Sequence, residues 1–247
     1  MSDPFKSPLA HMPLLQNFQT LEFRTPYHAT DFPPFSMELK SHTQRMRSIA
    51  LTFLVVGLLT VNTITSYELW QFNHGITGEN AGLELAQVAL LVLATVLQGW
   101  QGFTTIKPGL QRDIRIGLAL FAFALFLREV DIDKLGTSHF WKWLETGLRV
   151  ITLIGFFGFA VHMLRRIKIV LRCFKRIILA PTVLISLLAC LFYAFGWPFD
   201  KELFNIDKGL SPWFEETLEL NACLLFFVAG FTSSVKSAVV SLKAPSF

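Results

Sequence analysis

Uncharged runs of unequal length set the rhythm of this chain. Three are long enough to cross a bilayer unaided: Ser48 to Tyr67, Leu85 to Ile106 and Ile177 to Phe199. A spanning helix needs about 20 mostly apolar residues. Three others are shorter: Ile116 to Leu127, Val150 to Leu164 and Leu220 to Val235. None of the six shows the alternation of a barrel strand, so the pattern predicts helices. The third run ends abruptly in FLREVDID, residues 126–133. Either it stops short of a membrane, or Arg128 and Glu129 are drawn below the lipid surface.

Composition narrows the class. The chain is 52% hydrophobic and 16% charged, with mean hydropathy +0.48 and 25 phenylalanines. Soluble domains carry about 25% charged residues. The expected fold class is therefore an all-α integral membrane protein.

Charge placement then decides how many runs cross. With all six crossing, one side collects the N-terminal arm, residues 104–115, residues 165–176 and the tail, with 16 Lys and Arg against five acids. The other side has six basic and 13 acidic residues. Dropping any run would mix these loops. The positive-inside rule predicts six transmembrane helices with both termini cytoplasmic. Trp70, Trp141, Trp143, Trp197 and Trp213 fall at the acidic boundary and Trp100 near the basic one, as an aromatic belt would.

The predicted organisation is a polar arm over 1–47, a six-helix domain over 48–240 and a short tail over 237–247. The spans fall near 48–67, 84–106, 113–131, 144–164, 177–199 and 216–236 and pair as three hairpins. No apolar signal-like region precedes Ile49. Short loops and this absence together suggest a bacterial inner membrane. In the arm, PLLQNFQTLEF sets Leu14, Leu15, Phe18 and Leu21 on one helical face, suited to packing or to docking a protein partner. The basic stretch RRIKIVLRCFKR reads as a cytoplasmic retention loop rather than a lipid-headgroup or nucleic-acid patch. Cys173, Cys190 and Cys223 lack paired spacing, so no disulfide framework, metal or cofactor is expected.

Reaching full span length forces charges into the short runs. The third takes in Arg128 and Glu129. The fourth takes in Glu145 and Arg149, an i, i+4 pair in the favourable order. The sixth takes in Glu219, one turn after Glu215 and Glu216. On the other side Arg115, Arg165 and Lys236 can snorkel cheaply. A short internal repeat, GLELAQVALL, WLETGLRVIT and TLELNACLLF, places Glu84, Glu145 and Glu219 at matching depths. The candidate site is an outer vestibule of Glu84, Glu129, Glu145 and Glu219 with Arg128 and Arg149. Glu79, Asp131, Glu215 and Glu216 form its acidic surround, and the helix dipole alone accounts for acids in a first turn.

Carboxylates crowded in such a vestibule bind protons or cations, which suits cation- or proton-linked transport. Asn62, Thr63, Gln87, Gln98 and Asn221 would supply neutral ligands deeper in. A membrane scaffold, assembly or sensor subunit would use the same charges as interhelical pairs, but four glutamates face two arginines. A lipid-processing enzyme with a Glu base is a third class. REVDIDKLGTSHFWKW resembles in part the Asp-then-His pattern of ceramidase-like membrane hydrolases. Lys142 follows Trp141 where that pattern has a second histidine, and a third ligand has no candidate, so the activity is not carried over.

Overall fold

The structure, a computed structural model, describes residues 35–77, 82–104, 109–130, 132–201, 203 and 210–232. Contacts divide the chain into Met1–Ser48 and Ile49–Phe247, and the side-chain account that follows concerns the second unit. The arm helix expected at 14–21, the tail at 237–247, Glu79, Asp131 and Lys236 lie outside the described residues.

The described chain is all-helical, with seven α-helices: α1 (Phe35–Phe72), α2 (Gly82–Thr104), α3 (Leu110–Glu129), α4 (His139–Arg165), α5 (Ile167–Ile178), α6 (Pro181–Asp200) and α7 (Leu210–Phe231). Short 3-10 turns cover His74–Thr77 and Ile132–Leu135. Four helical stretches among the described residues are long and apolar enough to cross a membrane: Met46–Phe72, Gly82–Thr104, His139–Arg165 and Pro181–Phe199. That suits an integral membrane protein. Charge sets α3 and α7 apart from these four: Arg112, Asp113, Arg115, Arg128 and Glu129 on α3, and Glu215, Glu216 and Glu219 on α7.

Position in the bundle explains that difference. Helix α7 is buried nearly all round, and its hidden positions include Trp213, Glu219, Asn221, Phe226 and Gly230. It lies between α6 and α2, α2 lies along α3, and α3 carries α4 on its far side. The core joins Leu91 and Ala94 of α2, Ala122 of α3, Ile185 and Ala189 of α6, and Ala222, Phe226 and Ala229 of α7. Lipid gives helices no hydrophobic reason to associate, so close van der Waals contact must do it, and alanine lets backbones approach. By contrast α1 and α4 are mostly exposed: Phe53 is 74% and Phe157 72% accessible. Two of the apolar spans, α1 and α4, belong to the perimeter, and α7 with its three glutamates is enclosed.

Several details depart from the sequence expectation. Residues 165–176 are expected as loop, but Ile167–Ile178 form helix α5 with Cys173 buried. Ile167, Val170, Leu171, Phe174, Ile177 and Ile178 recur at helical spacing with Lys168, Arg172, Lys175 and Arg176 opposite, and that amphipathic period outweighs the charge count. The expected fifth span at 177–199 starts instead at Pro181, the first residue of α6, where the missing N–H costs nothing. Arg115 does not snorkel. It is 3% exposed, and Nη1 donates to Gln98 Oε1 at 2.6 Å and to the Ala229 and Gly230 carbonyls at 3.2 and 3.3 Å. Nη2 reaches the Thr232 carbonyl. It thereby caps the orphan carbonyls and negative dipole end of α7. Trp70 and Trp213 also leave the expected belt, since they pack on each other at 6.2 Å and are buried. Trp100, Trp143 and Trp197 stay exposed.

The glycines divide in the same way. At Gly230 an added Cβ would meet Leu97 Cγ of α2 at 2.9 Å, whereas Gly158 has nothing within 4 Å. Gly230→Val is expected to lower stability by about 1–3 kcal/mol through overpacking. Gly158→Val should stay within about 0.5 kcal/mol of wild type. Thermal unfolding in detergent micelles checks both, and equal losses would contradict the placement of α7 against α2.

Candidate functional site

At the end of the bundle where α7 begins, four helices converge. The last turn of α3 supplies Arg128 and Glu129, the first turns of α7 supply Glu216 and Glu219, α6 supplies Tyr193, and α2 supplies Gln87. Glu219 lies on the buried side of α7, and Gly196 of α6 makes room for it. A Cβ at position 196 would sit 3.4 Å from Glu219 Cγ.

The polar contacts form one network. Arg128 Nη2 donates to Glu219 Oε1 at 2.9 Å, and its Nε lies 3.7 Å from Glu129 Oε1. The guanidinium carbon stands 5.0 Å from the centroid of the Tyr193 ring, a cation–π contact. The Tyr193 hydroxyl donates to Glu129 Oε1. Gln87 Nε2 donates to Glu216 twice, to Oε2 at 2.7 Å and to the backbone carbonyl at 3.1 Å. The Glu219 and Glu129 side chains are 5% and 9% exposed while that of Arg128 is 55% exposed. Two enclosed carboxylates thus face one guanidinium that still reaches the outside, and Gln87 holds a third, that of Glu216, beside them.

Between α1 and α7 a second set of polar groups pairs in layers. Ser66 and Thr217 hydroxyls lie 3.1 Å apart. One turn deeper, Asn62 Nδ2 donates to Asn221 Oδ1 at 2.8 Å, and Asn221 Nδ2 donates to Thr63 Oγ1 at 3.0 Å. Below them the core is apolar until Gln98 and Arg115. Thr95, Thr152 and Ser186 each turn back onto the carbonyl four residues earlier, as hydroxyls in apolar helices do.

The structure therefore gathers part of the expected vestibule and separates the rest. Glu129, Glu219 and Arg128 meet directly, joined by Glu216 from the expected acidic surround. Glu145 and Arg149 form the expected i, i+4 pair at 2.6 Å, but on peripheral α4. A groove of about 380 Å³ between α3 and α4 has Arg128 and Arg149 on its walls. Glu84 stands in the first turn of α2, three residues before Gln87, and Glu215 directly precedes Glu216.

Two features escaped the sequence. Tyr193 completes the network from α6, and its signal was a phenol inside an apolar run, which needs a partner when buried. At the opposite end Asp113, 6% exposed, accepts from Arg166 Nη1 at 2.7 Å and contacts His162 Nε2 at 3.2 Å. No local spacing joins residues 113, 162 and 166. Among the described residues no group of three His, Cys, Asp or Glu side chains is placed to hold a metal ion.

Comparison of the chain with known protein families, curated proteins and solved structures gave no match. Geometry alone carries the functional argument.

The network has an energetic signature. In a double-mutant cycle of Arg128→Gln and Glu219→Gln, the coupling is expected near 1 kcal/mol, kept low by the exposure of Arg128. Arg115→Met should cost about 3 kcal/mol or more, because it strips a buried charge-assisted cap from α7. Thermal unfolding in micelles reads both. Strictly additive losses at 128 and 219 would dissolve the pair.

Proposed function

We propose that the chain crosses a bacterial inner membrane six times, both termini cytoplasmic, and moves a proton or cation through its outer acidic cluster. Helices α3 and α7, at 20 and 22 residues, are about 30 and 33 Å long, enough for a hydrocarbon core of about 30 Å. Each lies along a neighbour that is itself apolar enough to cross, and protein encloses Asp113, Arg115, Glu129 and Glu219. The polar arm at 1–47 and the three-hairpin order of the crossings belong to the same proposal.

One observation carries the transport reading: the crowding of carboxylates in an enclosed place. The Glu129 and Glu219 side chains are 9% and 5% exposed and both stand against Arg128, with Glu216 held beside them by Gln87. Carboxylates so crowded repel one another, and a bound proton or cation relieves that repulsion. Its release leaves a charge that the bundle must accommodate by moving. The apolar layer of Leu91, Ala94, Ala122 and Phe226 beneath would then be the closed barrier of a resting state.

A second reading has its own support. Each carboxylate of the cluster has a hydrogen-bond or ion-pair partner, and the polar residues below it are tied to one another or to helix carbonyls. A scaffold, assembly or sensor subunit would need no more than this.

Flux into liposomes holding the purified protein, followed with internal pH and cation dyes, separates the two. Transport predicts flux in the wild type that Glu219→Gln abolishes and Glu84→Gln reduces, with melting temperatures retained. No flux in the wild type, with lowered melting temperature in Glu219→Gln, would leave the scaffold. Orientation is tested separately by impermeant thiol labelling of Lys142→Cys and Arg172→Cys in intact cells. Only the first should react.

A further inference from the structure

The transport reading leaves one groove unused. At the basic end of the bundle the seam between α3 and α4 opens into a cavity of about 400 Å³. Its polar wall holds Arg112, His162 and Arg166, and its floor is apolar, formed by Ile116, Leu120 and Phe159. Asp113 stands on this wall and, through its contacts to Arg166 at 2.7 Å and His162 at 3.2 Å, positions both side chains. Two guanidiniums against one carboxylate leave the wall net positive even with the imidazole neutral.

We propose that this groove binds an anionic phospholipid, its headgroup phosphate on Arg112 and Arg166 and an acyl chain along the α3/α4 seam. The proposal rests on the membrane placement above and is independent of transport. Three observations support it. The wall pairs planar, multidentate donors, the chemistry that grips phosphate oxygens. An inorganic phosphate would share that contact, but a floor of Ile116, Leu120 and Phe159 offers it nothing, whereas a lipid chain would cover it. Finally, Arg166 is at once the C-cap of α4 and the N-cap of α5, so the wall runs directly into the amphipathic helix. There Lys168, Arg172, Lys175 and Arg176 line one side, while Ile167, Leu171 and Phe174 remain 42%, 65% and 51% exposed. A basic face beside an uncovered apolar face is the pattern of a helix lying in the plane of an anionic leaflet. The groove would therefore open at headgroup depth.

The seam is tight at one place, where a Cβ on Gly117 of α3 would stand 2.7 Å from the Phe159 ring of α4, and open at another. Gly155 of α4 faces Leu120 of α3, where an added Cβ would stand 3.5 Å from Leu120 Cδ2. That is ordinary contact, so a larger side chain there would occupy the groove rather than break the helix pair.

The test uses the full chain in nanodiscs of phosphatidylcholine alone or mixed with phosphatidylglycerol, with retained lipid counted by native mass spectrometry. The wild type should keep phosphatidylglycerol in preference to phosphatidylcholine. Arg112→Gln should reduce that preference roughly tenfold, the worth of one charge-assisted contact. Gly155→Leu, which fills the floor without touching a charge, should release the lipid as well. Melting temperatures in pure phosphatidylcholine nanodiscs should match wild type for both, which separates lost binding from lost fold. If one variant fails to fold, the other still decides. Equal retention of the two lipids by inserted wild type, or wild-type preference in a folded variant, would overturn the proposal alone. Displacement of phosphatidylglycerol by inorganic phosphate would reassign the groove to a soluble anion and overturn the lipid. Failure to insert into nanodiscs would instead remove the membrane placement on which both proposals stand.

Discussion

A carboxylate enclosed by protein is costly unless it finds polar partners, and α7, flanked along its length by α2 and α6, carries Glu216 and Glu219 within its first three turns. That constraint orders the rest of the bundle. The enclosure must offer partners, so Gln87 comes from α2 and Arg128 from α3, held in place by Tyr193 of α6. The far end of α7 poses the complementary problem of unpaired carbonyls, and buried Arg115 meets it by donating to Ala229, Gly230 and Thr232. One helix is thus held near its middle and at its C-terminal end by two arginines of α3.

Of the four helices that look most like membrane spans, α2 and α6 enclose α7, while α1 and α4 do the least of this work. Their exposed apolar faces match what a bilayer would present, and their few polar residues turn inward, as Asn62, Thr63 and Ser66 of α1 do toward α7. Interior packing then relies on small side chains, as at Gly230 against Leu97 and Gly117 against Phe159. The α3/α4 seam opens into a groove at each end, both edged by arginines beside apolar side chains.

The two charge clusters divide the functional questions between them. The acidic one is enclosed, negative and tied to the central helix, so a change in its charge would be felt through α7. The basic one is half-exposed and at the edge, where it can meet a leaflet without disturbing the core. Their separation along α3 explains how one charged helix can serve both, since Asp113 and Glu129 lie at opposite ends of it.

Much of this was open to inspection in the sequence. Apolar run lengths pointed to an all-helical chain, as the described residues are, while the side-to-side charge bias supports the proposed topology only. The spacing of Glu145 and Arg149 gave an ion pair that the fold contains, because interactions within a helix depend only on its period. The presence of Glu129, Glu219 and Arg128 in one cluster was inferred from their shared depth, a property of topology. Other features were not legible. Tyr193 reaches Glu129, and His162 and Arg166 reach Asp113, only through packing between helices far apart in the chain. The enclosure of α7 was hidden for the same reason. A sequence tells how apolar each helix is, and only the tertiary structure decides which of them is surrounded by the others.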